Sequence, residues 1–389
     1  MTIDWAHLGE WLHLAVRWFH FMMGVAWIGA SFYFVWLNNA LLPPNPPQPG
    51  VEGEVWALHG GGYYNIRKFH PSMATLPSPL HWFQWEAYLT FLSGLALITL
   101  TYWARPSLKM VREGGPGPLA AVGIGVGTLV GGWIVYDLLC RSPLAKKPTL
   151  LAGVGLGLIT AVAFGLTQVL SGQAAFMHVG AMIGTIMVGN VAMVIIPGQR
   201  QMVAETLAGR PADPNRGKNA GLRSLHNNYL TLPVLFVMIS NHFPMTFGHH
   251  WNWLILAAIS VIGMVVRHHV NRDDQGRPLH WLAPLAALGM LALALVTQPP
   301  PRAPGLAAAA DPSDVYKIIA ARCTPCHSAL PSQAGFAAPP KGVLLETVQQ
   351  IEQHKADIRR VAVDTDFMPL GNLTHITDEE RNALDDWSL

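Results

Sequence analysis

Near its C-terminal end the chain reads CTPCH, with Cys323, Cys326 and His327. Two thiols at this spacing, followed directly by an imidazole, suit a covalently held haem. The sulfurs form thioethers to the vinyl groups and the imidazole becomes the proximal iron ligand. A thioredoxin-like redox pair is the competing reading of CxxC, but it needs a βαβ setting that is absent here and leaves His327 without a role. A c-type haem takes a sixth ligand. Met368, in DFMPLGN, is the expected one, because a thioether raises the potential and suits an electron carrier. His327 and Met368 are therefore the expected ligands of a haem iron. His354 and His375 are the alternatives to Met368, and as lone histidines on a polar surface they are expected to be solvated.

Two further groups of polar side chains interrupt apolar sequence, where ionisable residues are costly and mark function by default. His13, His20, His178 and His242 form the first. His13 and His20 are seven apart and so share a helical face. Neutral imidazoles from different helices are what a buried b-type haem requires; the alternative is that each bonds a backbone carbonyl of a neighbouring helix. The second group holds His81, Glu86, Asp137, Asn190, Arg223, His226, Asn227, Asn228, Tyr229, Arg267, His268 and His269. Asn offers paired donors and acceptors, Arg a planar fork for an anion, and the aromatics of HWFQWEAY offer stacking faces. This second group reads as a small-molecule site. In the 38–80 loop, HGGGYYN sets Gly60, Gly61 and Gly62 either where backbone approaches a ligand or where the chain simply turns.

The scaffold for these residues is read from composition. The chain is 51% apolar and only 12% charged, with 37 Gly, 30 Pro and 14 Trp, the punctuation of a membrane protein. A net charge of +2 without a basic aromatic cluster argues against nucleic acid as a partner. Only Cys140 lies outside CTPCH, so a disulfide framework is excluded. Eight apolar runs are each long enough for a membrane helix: 11–37, 81–104, 118–140, 149–170, 174–197, 229–247, 251–270 and 280–297. The sixth is the weakest, interrupted by Pro233, Asn241, His242 and Pro244. Small-residue strings in the third to fifth (Gly123, Gly125, Gly127; Gly153, Gly155, Gly157; Gly180, Gly184) are expected to let helices approach.

Lys and Arg concentrate on one side, from Arg67 and Lys68 through Arg141 and Lys146 to Arg272 and Arg277, against Arg105, Lys109 and Arg112 on the other. The richer side is expected to be cytoplasmic, which puts the N-terminus and the tail in the periplasm of a bacterial inner membrane. The fold expected is all-α. An eight-helix transmembrane bundle (1–297) leads through a Pro/Ala-rich linker (298–312) to a small class I-like cytochrome c domain (313–389).

Five ordered blocks carry a resemblance: WFHFMMGVAWIGASFYFVWLNN, WALHGGGYYN, LHWFQWEAYLTFLSG, FMHVGAMIGTIMVGNVAMVIIPGQR and RSLHNNYLTLPVLFVMISNHFP. With CTPCH they resemble the integral-membrane urate oxidases (urate hydroxylases), which join an eight-helix membrane domain to a C-terminal cytochrome c. The resemblance implies urate as substrate and 5-hydroxyisourate as product. It also implies electrons leaving through haem c to a terminal oxidase or soluble cytochrome, and no hydrogen peroxide. The family pattern has Lys where this chain has Gln84, so no charged role is assigned there. Under this reading Arg223, Asn227 and Asn228 suit a planar anion with amide-like edges, Glu86 or His226 removes a proton, and the four outer histidines are the place for a second redox centre. Two other classes compete. A quinol-oxidising cytochrome predicts indifference to urate, and a membrane-anchored electron-transfer subunit predicts no activity in the isolated chain.

Overall fold

The computed structural model describes residues 5–70, 76–112, 114–298, 311–336, 338–365 and 367–388. A helix stands at each of the eight apolar runs. These are α1 (Trp5–Ala40), α2 (Trp85–Ile98), α3 (Pro118–Arg141), α4 (Pro148–Val169), α5 (Gly172–Gly189), α6 (Pro214–Ser240), α7 (Asn252–Asp274) and α8 (Leu282–Val296). Five are long and apolar enough to cross a membrane: α1, α3, α4, α5 with its continuation to Leu207, and α7. At 15 residues, α8 spans about 22 Å, short of a hydrocarbon core of about 30 Å.

The outer surface is apolar, which inverts the arrangement of a water-soluble bundle. Along α1 alone, Trp5, Trp11, Trp18 and Phe21 all stand exposed. The packed interior centres on α5, whose Phe176, Val179, Met182 and Ile183 are buried among residues of α2, α3, α4 and α6. α1 packs on α2, α3 on α5, and α6 between α5 and α7. The glycine strings act unevenly. A Cβ on Gly125 would meet His178 Nε2 at 2.5 Å, and one on Gly180 would collide with Val237 Cγ1, so these two permit close contact. Gly123, Gly127, Gly153, Gly155, Gly157 and Gly184 have nothing within 4 Å of a Cβ and bring no helices together.

Two helices change pitch. α2 runs into a π-helical turn at Thr99–Trp103, and α5 continues through a π segment at Asn190–Ile195 into the helix Ile196–Leu207. Such bulges re-aim side chains by one position and gather at functional sites. α6 begins 15 residues before the sixth apolar run and ends at Ser240, with Pro233 tolerated inside it.

The 38–80 loop corrects an all-α expectation. Val51–His59 (β1) and Gly62–Phe69 (β2) form an antiparallel hairpin whose turn is Gly60-Gly61, both at positive φ. Positive φ at both central residues is what a two-residue hairpin turn requires, and glycine meets it without steric cost. A Cβ on either glycine would meet nothing within 4 Å, so Gly60-Gly61 forms the hairpin turn with open space beside it.

The linker expected at 298–312 lies, over 299–310, outside the described residues. Beyond it come α9 (Pro312–Arg322), α10 (Val348–Gln353), α11 (Lys355–Ala362) and α12 (Asp378–Ser388). They enclose Val315, Ile319, Leu345, Ile358, Leu384 and Trp387. Thr377 caps α12 as its sequence suggests: the Glu380 amide donates to Thr377 Oγ1 and the Thr377 amide donates to Glu380. The tail rests on the bundle through Phe367, whose ring meets Phe247 edge-on at 5.1 Å, and through Thr365 against Gly248.

Candidate active site

The π segment of α5 turns Asn190 into the bundle, where it is fully buried between α3 and α6. Its Nδ2 donates to Tyr136 Oη at 3.0 Å and to Asn227 Oδ1 at 2.8 Å, while its Oδ1 accepts from Arg223 Nη1 at 3.1 Å. Arg223 is 1% exposed and places Nη2 2.7 Å from Asp137 Oδ1, with its guanidinium over the Tyr136 ring at 5.1 Å. Asp137 Oδ2 also holds Arg141 Nε, at 2.6 Å. Asn227 Nδ2 completes the set by donating to the Met187 carbonyl. Arg223, Asn227, Asp137 and Asn190, selected from sequence, thus meet in one hydrogen-bonded network. The Arg223 charge is balanced by Asp137, so its fork is occupied by the protein itself.

His226 joins through Tyr136. The phenol accepts from Asn190 and shares a hydrogen bond with His226 Nδ1, 2.7 Å away, a nitrogen that also has Cys140 Sγ at 3.8 Å. Tyr136, which adjoins Asp137 in sequence and gives no polar signal there, thus links Asn190 to His226. Among the described residues no hydrogen bond ties the Glu86 carboxylate to this network, and Glu86 sits in the first turn of α2. Gln84 accepts from Arg200 Nη2 at 3.3 Å, and a Lys in its place would set two cations together.

Next to this network lies a second, less satisfied set. Asn228 Oδ1 accepts from Asn271 Nδ2 at 2.9 Å, and Arg267 lies over the Phe32 ring at 4.0 Å. Tyr229 Oη bonds His268 Nδ1 at 2.7 Å, and His269 Nδ1 bonds the Leu279 carbonyl. His81 stays exposed beside Phe83. Asn271 was missed because the seventh apolar run was closed at 270; its position four residues after Arg267, on the same helical face, was the available signal.

The outer histidines divide. His13 Nε2 bonds Thr101 Oγ1 at 3.0 Å, and His20 Nδ1 bonds the Thr90 carbonyl and Ser93 Oγ, so both face α2 as their spacing predicts. His178 is fully buried with both ring nitrogens engaged: Nδ1 with the Ala174 carbonyl, and Nε2 with the indole N–H of Trp103. His242 is exposed. A ligand imidazole is tethered through one nitrogen and free at the other. Among the described residues His13 and His20 each have one ring nitrogen tethered and the other free, whereas both nitrogens of His178 are engaged.

The CTPCH residues fit a haem c. Cys323 and Cys326 are free thiols, and His327 Nδ1 bonds the Val343 carbonyl at 3.1 Å, leaving Nε2 available for iron. Burial pushes the Cys323 thiol up to about 12 and lowers the His327 imidazole, which favours the neutral, ligating ring. Met368 packs against the tail core with its carbonyl accepting from Arg381. Among the described residues no group of three or more His, Cys, Asp and Glu could hold a metal ion by itself.

The family profile described as urate oxidase N-terminal matches residues 6–298. The chain belongs to the urate oxidase N-terminal family. The matched stretch contains α1–α8 and both polar networks, and stops before the CTPCH segment. An oxidoreductase acting on urate is the activity the family indicates. No curated protein and no solved structure matches the chain.

Proposed function

We propose that the protein is a membrane-bound urate dehydrogenase. It oxidises urate to 5-hydroxyisourate in the α3/α5/α6/α7 bundle and delivers the electrons to a haem c held by Cys323, Cys326, His327 and Met368. The observation that carries this reading is the buried polar network inside a family-matched apolar bundle: Arg223, Asp137, Asn190, Tyr136, His226 and Asn227, joined by the bonds above. Such groups are retained in apolar surroundings at a cost of several kcal/mol per unpaired charge.

The balance closes with one water: urate and water give 5-hydroxyisourate, two protons and two electrons. Haem c, when bound, accepts one electron at a time, so two transfers to the tail complete a turnover. Tyr136 and His226 supply the proton path, the phenol taking a substrate proton as its own passes to His226 Nδ1. Asn227 and Asn190 hold this pair in place. Eight spans, a cytoplasmic polar network, a periplasmic tail and a terminal oxidase or soluble cytochrome as acceptor complete the reading.

Membranes bearing the protein are expected to consume urate without accumulating hydrogen peroxide. Stoichiometric peroxide, followed by a coupled peroxidase assay, would overturn the dehydrogenase reading in favour of an oxygen-reducing oxidase.

A further inference from the structure

Three buried polar atoms at the α6/α7 contact have no hydrogen-bond partner: Arg267 Nε, Asn228 Nδ2 and Asn271 Oδ1. Their residues are 5%, 0% and 4% exposed. Buried polar atoms in native proteins are nearly always paired, and an unpaired one loses the full cost of its desolvation. Arg267 is the sharpest case. Among the described residues its guanidinium has no hydrogen bond or ion pair; it lies on the Phe32 ring, and Asp274, two turns further along α7 with its own Oδ2 unpaired, acts on it only through space. Arg223 Nε is likewise unpaired, but its Nη1 and Nη2 are held by Asn190 and Asp137.

The three atoms belong together. Arg267 and Asn271 are one turn apart on the same face of α7, and Asn271 bonds Asn228 directly. The pattern they leave is two donors and one acceptor. It survives an exchange of O and N in both amides, because an Asn–Asn pair joined by one bond always leaves one donor and one acceptor free. A planar anion with alternating carbonyl and N–H groups supplies the complement: carbonyl oxygens for Arg267 and one Asn, and an N–H for the other.

We infer that Arg267, Asn271 and Asn228 form the recognition site for the imide edge of a planar anion, with Phe32 holding the guanidinium flat beneath it. The identity of that anion as urate rests on the function proposed above. Arg223 then organises the proton path, while Arg267 carries the substrate's charge.

The test is calorimetric titration of urate into the full-length, detergent-solubilised protein with its haem reduced beforehand, so that no turnover occurs. Wild type is compared with R267M, R267K and N271L, and the ligand-free melting temperature of each is measured. The site predicts at least tenfold weaker urate binding in all three, with R267M melting no lower than wild type, since it removes a buried charge that has no partner. Variants that keep both the wild-type melting temperature and the wild-type affinity overturn the inference and leave the urate reading standing. R267M and R267K both melting well below wild type, with N271L binding normally, also overturns it and makes Arg267 structural. If wild type binds no urate, the urate reading fails, and xanthine, barbiturate and orotate are titrated instead. A probe bound by wild type and lost in R267K keeps the site with another ligand class, and no binding by any of them overturns it.

Discussion

At the scale of single residues, the chemistry depends on which groups are already satisfied. Arg223 is buried and Asp137, its partner, half-buried, and removing the carboxylate leaves the Arg223 charge uncompensated. D137N is expected to destabilise the protein by about 3–5 kcal/mol, read as a fall in melting temperature in detergent. Tyr136 makes a different prediction because it mediates between Asn190 and His226 without carrying charge. Y136F keeps the ring under the Arg223 guanidinium yet removes the phenol, so turnover should fall 100-fold or more with little change in KM. An unchanged turnover in Y136F would remove the relay from the account. These residues were visible in sequence only as polar interruptions of apolar runs. Asp137, Asn190, Arg223, His226 and Asn227 could be chosen that way, since charge and amide groups stand out against Leu and Val. Tyr136 could not, because an aromatic in an apolar helix gives no signal until its hydroxyl has a partner.

At the scale of elements, the helices set which of those groups meet. Gly125 exists for His178: a Cβ there would meet the imidazole at 2.5 Å, and the ring could move only by giving up its bond to Trp103. G125A is expected to cost about 1–3 kcal/mol of stability through overpacking, measured by thermal unfolding. In the tail, T377A should cost about 1 kcal/mol through the lost cap of α12. Burial alone would raise the Glu380 carboxyl, but the Arg322 guanidinium and the Thr377 amide more than offset this and hold it below its ordinary value. A carboxyl lowered by folding stabilises the tail above its unfolded pKa, and that contribution is lost as pH falls through the folded one. The acid limb of tail unfolding should therefore be flatter in E380Q than in wild type.

Helix positions were legible from hydropathy because each apolar run is long and bounded by Pro, Gly or charge. The two π segments were not, since their cause is local packing: one delivers Thr101 and Trp103 to His13 and His178, the other delivers Asn190 to Arg223. The polar start of α6 was also hidden. PNRGKNAGLRSLHNN reads as loop by hydropathy, yet Arg223 and Asn227 face inward there and bond α3 and α5. The hairpin of β1 and β2 is not legible from hydropathy because both strands stand largely on the surface and form a two-stranded sheet of their own.

At the scale of the whole molecule, the tail sits on the bundle at the end where α6 stops and α7 begins. Phe367 adjoins the expected iron ligand Met368, and its ring lies on Phe247, which in turn meets Phe176 at 6.3 Å near the start of α5. Apolar contacts thus run without a gap from the ligand loop of the tail to the helix that carries Asn190 at its other end. Along α5, Phe176 and Asn190 are separated by about 21 Å of helix, the distance that electrons leaving the polar network for the tail would have to cover under the proposed function. The most direct measurement is the visible spectrum of the purified, oxidised protein on anaerobic addition of urate. The account predicts that urate alone reduces haem c, with two equivalents reduced per urate consumed. A haem that stays oxidised with urate, yet is reduced by a quinol, would contradict it.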